Sequence, residues 1–177
     1  MLLEIAQLGQ PVLRELAEEV RIEQITSSPF QEFLEQMLET LLEEKGVGLA
    51  APQVFVGLRV FLAAIVPPVE EDGPPGVEVF INPKVTPLTD EKSKAWEGCL
   101  SFPELLVLLP RHKAVRVEYL NRSGQSSIRD LQGFPARVVL HELDHLDGIL
   151  TIDRAESTHA IIKASELEDI TDGTEED

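Results

Sequence analysis

The sequence predicts a single domain that combines helices and strands. Three observations support this prediction: helical spacing of apolar residues dominates the N-terminal part, strand-like spacing dominates the middle, and a helix with two apolar faces follows later. The 177 residues, of which 43% are hydrophobic, suit one domain with its own core. We expect this domain to span residues 1–165, followed by a solvated acidic tail over residues 166–177 with seven carboxylates and no basic residue.

The charge and the cysteine count exclude several classes of protein. The formal net charge is −17, so nucleic acid and anionic membranes would be repelled. The longest apolar runs, Val60–Pro68 and Leu105–Pro110, are too short to span a bilayer. Met1–Leu8 carries no positively charged side chain, so it does not resemble a secretory signal. The single cysteine allows no disulfide within the chain, so its thiol is either inert packing or part of the chemistry.

Two helices are predicted in the N-terminal part of the chain. Gln10–Val20 has Pro11 in its first turn and apolar residues spaced for one face. The second helix begins at Ser28, which suits an N-cap, with Pro29 in the first helical position and Gln31 completing a capping box. The apolar stripe of this second helix consists of Phe30, Phe33, Leu34, Met37, Leu38, Leu41 and Leu42.

Strands are predicted through the middle of the chain. They are Leu58–Val66, Val77–Ile81, Leu105–Leu109 and Ala114–Leu120. Pro67–Gly76 is expected to be a loop because it is rich in proline, glycine and acidic residues, and Asn121–Ser127 is expected to be a turn.

A buried helix that carries two histidines is predicted over Gly133–Gly148. Apolar residues lie on two of its sides, which is typical of a helix in the middle of a protein. His141 and His145 have i, i+4 spacing within an HExxH motif, so both imidazoles lie on one face, as two ligands of a tetrahedral cation require. Glu142 lies about 100° around the helix and suits a general base. A chance match on a charged helix is the alternative.

A third metal ligand is not evident from the helix alone. Thr151 stands where some HExxH proteases have a third histidine, and Glu156 and Glu166 are available carboxylates further on. His112 and His159 are expected on the surface. Two segments elsewhere in the chain contain further candidate site residues.

The first of these segments contains Cys99, which suits either buried packing or a metal-bound thiolate, since Gly98 allows a close approach of the backbone. In the second, Gly46 suits a helix end, while Gly48 and the two alanines after it leave room for another group beside Gln53.

Together the three segments resemble the peptide deformylases, a family with the motifs GxGLAAxQ, EGCLS and HExDH in this order. Gly46–Gln53, Glu97–Ser101 and His141–His145 keep all the signature positions. The resemblance extends from about Gln7 to Arg154. It implies an α+β fold in which antiparallel or mixed sheets surround a central helix that carries HExxH.

The resemblance also implies a metal-dependent hydrolase. Cys99, His141 and His145 would hold one divalent ion, usually Fe(II) in this family, although zinc, nickel or cobalt can occupy the same site. The implied activity is removal of the formyl group from the N-terminal formylmethionine of newly made polypeptides, an N-terminal processing step of protein biosynthesis. Metal-bound hydroxide would attack the formyl carbon, with Glu142 as general base and then as acid. Gln53 and the Leu100 N–H would stabilise the oxyanion.

The substrate pocket follows from the same resemblance. The residues in the position of the family's methionine pocket are Val47, Phe134 and Val138. The Arg137 stem is expected to line this wall while its charged head reaches solvent. Backbone groups of Val47, Gly48 and Gly98 would pair with an extended peptide in the manner of strand addition.

Further roles and two departures concern residues around the pocket. Arg111 would hold either the substrate or a loop, Asp144 would anchor the helix, and Glu97 would orient a ligand histidine. Leu140 stands where many family members have glutamine, which would alter hydrogen bonding near the first histidine. Phe102 stands where a smaller aliphatic residue is common, which would reshape the pocket rim.

The expected partners are formylmethionyl nascent peptides, with at most a transient contact with the ribosome, no direct nucleic-acid binding and no membrane. The protein is expected to be a monomer. A cytoplasmic location is expected, since no presequence is visible and a metal-binding thiolate suits a reducing compartment. On the residues alone, three alternatives stay open: a zinc endopeptidase with a carboxylate ligand, a structural metal site and an acidic binding domain.

Overall fold

The computed structural model of the chain describes residues 1–66 and 76–168. The helices of this part are α1 (Ile22–Ile25), α2 (Ser28–Glu43), α3 (Phe134–Leu146) and α4 (Thr151–Arg154). The strands are β1 (Gly48–Ala50), β2 (Val60–Val66), β3 (Gly76–Pro87), β4 (Lys92–Glu97), β5 (Leu105–His112), β6 (Ala114–Leu120), β7 (Ser126–Gln132) and β8 (Ile161–Lys163). Within the described ranges, no helix is long and apolar enough to cross a membrane.

The strands form two antiparallel sheets. The large sheet has the order β1-β2-β3-β6-β7, and the small sheet has the order β4-β5-β8. Strands β1 and β4 therefore lie at sheet edges; β1 lies within the motif segment Gly46–Gln53, and the motif segment Glu97–Ser101 begins at the end of β4. The α+β class that the sequence predicts is confirmed.

Helix α3 lies between the two sheets. Ala136, Val139 and Leu146 are fully buried in a core cluster with Phe61 and Phe80 of the large sheet. Pro135 lies in the first turn of α3, and the helix ends before Gly148, whose φ of +70° suits glycine. The prediction of a buried helix over Gly133–Gly148 is confirmed.

Helix α2 covers the other side of the large sheet. Phe30, Leu34, Met37 and Leu41 are buried as the stripe predicts, but Leu42 is 59% exposed, so its inclusion in the stripe was wrong. The capping box was also wrong, because Ser27 is the N-cap and no side chain caps the helix.

The side chain of Gln31, which the capping box assigned to the helix terminus, points elsewhere. Gln31 Nε2 donates instead to the carbonyls of Ile25 at 2.6 Å and Arg122 at 3.0 Å, which ties α2 to its neighbours.

The helix predicted over Gln10–Val20 was wrong. Only Pro11–Arg14 forms a single 3-10 turn, after which the backbone is extended. The backbone N–H of Ala17 donates to the Leu146 carbonyl at 2.9 Å, and that of Glu18 donates to the Gly57 carbonyl at 2.9 Å. Tertiary hydrogen bonds therefore satisfy the donors that a helix would have used.

The four predicted strands are present, and two of them are longer than predicted. Four further strands, β1, β4, β7 and β8, are not predicted by the sequence pattern. Of the predicted loop Pro67–Gly76, residues 67–75 lie outside the described ranges, and Gly76 begins β3. Residues 169–177 of the predicted tail also lie outside them, while Glu166 ends a short 3-10 turn and 167–168 follow that turn.

Candidate metal centre and active site

Three predicted ligands come together at the end of β4 and on one face of α3. Ligand atoms of Cys99, His141 and His145 all lie within 4.8 Å of one another. The Cys99 sulfur lies 3.4 Å from His145 Nε2. The i, i+4 spacing places the two imidazoles one turn apart, and the chain after β4 brings the thiol to them.

This donor set fits a first-row divalent metal, since one thiolate and two imidazoles suit zinc, iron, cobalt or nickel. Burial would by itself lower the pKa of His141, but hydrogen bonds to Cys99 and Glu97 raise it to about 10. Burial and the charge of His141 lower the pKa of His145 well below its usual value. Anionic surroundings that retain a proton on a buried imidazole also favour a metal cation there.

The other candidate ligands lie elsewhere in the fold. Glu156 is exposed and pairs with Lys94 at 2.5 Å, and Glu166 is also exposed. His159 is exposed, whereas His112 is half-buried and contacts the Thr89 carbonyl. Within the described ranges, neither glutamate joins the group of metal-ligating side chains.

Glu97, the last residue of β4, holds His141 in place. Its Oε2 lies 2.9 Å from His141 Nδ1, where a ring N–H donates to the carboxylate. Arg111 forms a two-pronged contact with the same carboxylate, with both distances 3.0 Å. Burial would raise the pKa of Glu97, but the hydrogen bonds from His141 and Arg111 lower it to about 2. The carboxylate is therefore ionised and orients the imidazole.

Arg111 does not face the substrate region. It is 6% exposed, and its Nη1 donates to Asp144 Oδ2 at 2.6 Å. Burial would lower the pKa of Arg111, but Glu97 and Asp144 raise it above its ordinary value. Asp144 also accepts from Arg154 at 2.7 Å and 3.2 Å. Of the two roles expected for Arg111, a contact with the substrate is therefore wrong, because its guanidinium bonds to Glu97 and Asp144 inside the protein.

Arg137 also differs from expectation. Its charged head does not reach solvent: Nη1 donates to Glu97 Oε1 at 2.8 Å, and Nη2 donates to the Ser93 carbonyl at 2.7 Å. The sequence signal for this pairing would have been an arginine on a helix face that is otherwise buried, since a buried cation needs a partner.

Gln53 lies beside the thiol. It is 1% exposed, its Oε1 accepts from the Ala50 N–H at 2.9 Å, and its Nε2 donates to Ser101 Oγ at 3.2 Å. The same nitrogen lies 3.6 Å from the Cys99 sulfur. The backbone contact fixes the orientation of the amide, so its NH₂ group points toward the candidate metal ligands.

Glu142 occupies the space that Gly48 leaves free. A Cβ at residue 48 would lie 2.2 Å from Glu142 Oε1, so only glycine is compatible with this arrangement. Glu142 Oε2 is buried and has no hydrogen-bond partner among the described residues. Burial raises the pKa of Glu142 to about 7, despite the opposing charge of His141.

A cavity of about 340 Å³ opens onto this group. Every predicted site residue except Arg111 and His145 lines it, and Phe134 and Val47 lie at its open side, 59% and 45% exposed. The sequence pattern does not point to Lys45, Trp96 and Pro103, which also line it. Phe102 is buried beside Cys99 and Leu13 and does not form the rim, so that expectation was wrong.

The comparisons with known proteins agree with this geometry. The family model described as polypeptide deformylase matches residues 2–160. The chain belongs to the peptide deformylase family. Peptide deformylase 2 of Nostoc sp. is 40% identical over 171 residues, which cover 96% of this chain and 94% of that protein.

Solved structures of the family are similar as well. The Thermotoga maritima peptide deformylase has a TM-score of 0.78 at 37% identity and covers 89% of this chain and 99% of its own. The Met-Ala-Ser-bound class I type b peptide deformylase of Acinetobacter baumannii has a TM-score of 0.79 at 36% identity, covering 87% of this chain and 98% of its own. The chain is thus a metal-dependent hydrolase of the family that removes the formyl group from the N-terminal methionine of nascent peptides.

Proposed function

We propose that deformylation takes place in the cavity between β1, β4 and α3, with Cys99, His141 and His145 as the metal ligands. The convergence of these three side chains within 4.8 Å, beside a buried and unpartnered Glu142 oxygen, carries this proposal. The ion, when bound, acts as a Lewis acid that acidifies water and polarises the formyl oxygen. We propose Fe(II) as the native metal, with zinc, nickel or cobalt able to occupy the same ligands.

Glu142 moves the proton. Glu142 lines the cavity, and its Oε2 has no competing partner among the described residues, so the carboxylate can accept a proton from the attacking water and return it to the departing amine. Gly48 keeps the carboxylate close to the strand, since any side chain at that position would displace it.

Gln53 and Leu100 stabilise the negative charge that develops on the formyl oxygen. The Gln53 amide is held by Ala50, so its NH₂ group needs little reorganisation during the reaction. The Leu100 N–H follows Cys99 directly and belongs to the segment that lines the cavity.

The methionine side chain occupies the apolar part of the cavity. Val47, Phe134 and Val138 provide its wall, and the cavity of about 340 Å³ suits a side chain with its adjacent peptide group. Strands β1 and β4 are sheet edges on either side, so an extended peptide can add to them through Gly48 and Gly98. The Met-Ala-Ser bound to the Acinetobacter baumannii relative is a peptide of the class that such a reaction releases.

We also propose that the chain acts as a cytoplasmic monomer that meets nascent peptides without gripping nucleic acid. The net charge of −17 supports this part, because a strongly acidic surface repels ribosomal RNA. Any contact with the ribosome would then be transient.

The test is formate release from formyl-Met-Ala-Ser by protein purified anaerobically, with metal analysis of the same sample. We expect one metal ion per chain and formation of Met-Ala-Ser together with formate, while acetyl-Met-Ala-Ser releases no acetate. Cys99→Ser should lose both metal and activity. The proposal would be overturned if iron, nickel, cobalt and zinc loading all gave no formate.

A further inference from the structure

The Arg137 side chain touches both the substrate cavity and the hydrogen-bonding environment of a metal ligand. Its stem belongs to the cavity wall. Its guanidinium is buried against the small sheet, where it bonds to Glu97, to the Ser93 carbonyl and to the Leu109 carbonyl at 2.8 Å, 2.7 Å and 3.2 Å. Nη2 also donates to Ser93 Oγ at 3.3 Å, so acceptors from three residues on two strands hold one head group.

The Glu97 carboxylate receives donors on both oxygens. Oε1 accepts from Arg137 at 2.8 Å and from Arg111 at 3.0 Å. Oε2 accepts from Arg111 at 3.0 Å and from His141 at 2.9 Å. The two bonds from Arg111 fix the plane of the Glu97 carboxylate. Arg111 also bonds to Asp144, so a shift of the Asp144 carboxylate is transmitted to Glu97. Arg137 adds a second donor to Oε1 and so restrains the carboxylate independently of Asp144.

We infer that Arg137 is a positioning residue that reaches His141 through Glu97 and joins the wall of the substrate cavity to the metal ligands. This inference rests on the proposed function of the site. If Glu97 rotates when Arg137 is lost, the His141 ring turns with it, because the 2.9 Å contact at Nδ1 sets the direction of the opposite nitrogen. Metal affinity and turnover then change together, although Arg137 touches neither the metal nor the formyl group.

The geometry calls for arginine and not merely for a cation. A planar guanidinium donates in three directions at once, as the Glu97, Ser93 and Leu109 oxygens require. A lysine keeps the charge on a single nitrogen and leaves at least one carbonyl less well bonded. The conservative variant should therefore rescue function only in part.

The experiment compares Arg137→Met and Arg137→Lys with the full-length wild type, each loaded with Co(II). Methionine keeps an unbranched apolar stem in the cavity wall and removes the head group. We expect Arg137→Met to weaken Co(II) binding about tenfold in a chelator competition. We also expect shifted Co(II) visible bands and a lower kcat with little change in KM, with Arg137→Lys intermediate in all three measurements.

Two matched variants separate this positioning role from damage to the cavity wall and from the loss of a positive charge in general. Phe134→Ala removes cavity wall without a contact to Glu97, so it should raise KM and leave the Co(II) spectrum unchanged. Arg116→Met removes an exposed arginine that pairs with Asp130 on the far strands and should change none of the readouts.

A change in KM alone for Arg137→Met would overturn the inference, as would a lower Tm with wild-type Co(II) affinity and spectrum. If Arg137→Met does not fold, Arg137→Lys decides the question through the same spectrum and affinity. If wild type binds Co(II) but releases no formate, the proposed function fails, while the affinities and spectra still test the role of Arg137.

Discussion

Helix α3 presents two faces that both lie inside the protein but are chemically opposite. The face toward the large sheet is apolar and consists of Ala136, Val139 and Leu146. The face toward the small sheet is ionic and consists of Arg137, His141 and Asp144, which bond to Glu97 and Arg111. The first face stabilises the fold in proportion to the area it removes from water. The second contributes little net stability, since desolvation offsets the attraction of buried charges, but it fixes the orientation of His141, a proposed metal ligand.

The two faces should therefore respond differently to substitution. Changes on the ionic side, or at the groups it orients, should reduce turnover while the protein stays folded. Changes on the apolar side should reduce stability while the folded enzyme keeps its turnover. The loss in kcat should therefore be largest at the general base and smallest in the apolar core.

The largest loss is expected for Glu142→Gln. The amide keeps the size of the side chain but cannot accept the proton, so kcat should fall by about 10²–10⁴-fold. Metal content, measured on the same sample, should stay at the wild-type value because Glu142 is not a proposed ligand. Glu118→Gln, the same change at an exposed position of β6, is the control. Near-normal turnover of Glu142→Gln would remove Glu142 from the mechanism.

Gln53→Ala should have the next largest effect. Loss of one donor to the developing oxyanion costs about 2.7–4 kcal/mol in the barrier, which is about 10²–10³-fold in kcat. Steady-state kinetics with formyl-Met-Ala-Ser give this value, and Gln132→Ala on the exposed β7 serves as the control. A rise in KM with kcat unchanged would show instead that Gln53 binds substrate and transition state equally.

Gly48→Ala tests the close packing of β1 against α3. The added Cβ would lie 2.2 Å from Glu142 Oε1, so the carboxylate must move away. A displacement of about 1 Å costs on the order of 10²-fold in rate, with the metal ligands left in place. Turnover and bound metal are measured together, and Gly57→Ala, where a Cβ meets nothing within 4 Å, is the matched control. Loss of metal from Gly48→Ala would contradict the expectation that the added Cβ displaces Glu142 and leaves the metal ligands in place.

The sequence predicts those parts of this arrangement that depend on local spacing. The i, i+4 histidines, the proposed general base between them and the buried helix follow from helical periodicity, and the strand Ala114–Leu120 follows from alternation. Strands β4 and β7 were missed because their residues are largely polar and exposed, so no apolar pattern marks them. Both pair with the adjacent strand in the chain, β5 and β6, so only the lack of apolar alternation hid them.

The contacts on the ionic face of α3 could not be predicted from local spacing. Glu97 and Arg137 are 40 residues apart, and Arg111 and Asp144 are 33 apart, so no local pattern joins them. Arg137 was therefore expected to reach solvent, as a lone arginine usually does. The helix predicted over Gln10–Val20 failed for the same reason, because backbone bonds to the last residue of α3 and to Gly57 before β2 outweigh its helical spacing.

The smallest loss of turnover is expected for Val139→Ala on the apolar face. The substitution removes two buried methyl-sized groups from a fully packed core, so the free energy of unfolding should fall by about 2 kcal/mol. Because Val139 contacts neither Glu97 nor the cavity, kcat per folded, metal-loaded chain should remain close to wild type. Urea unfolding and kinetics on one preparation measure both quantities. If Val139→Ala lowered kcat as much as Gly48→Ala does, the two faces of α3 would not be independent, and strain in the core would have to reach the metal ligands.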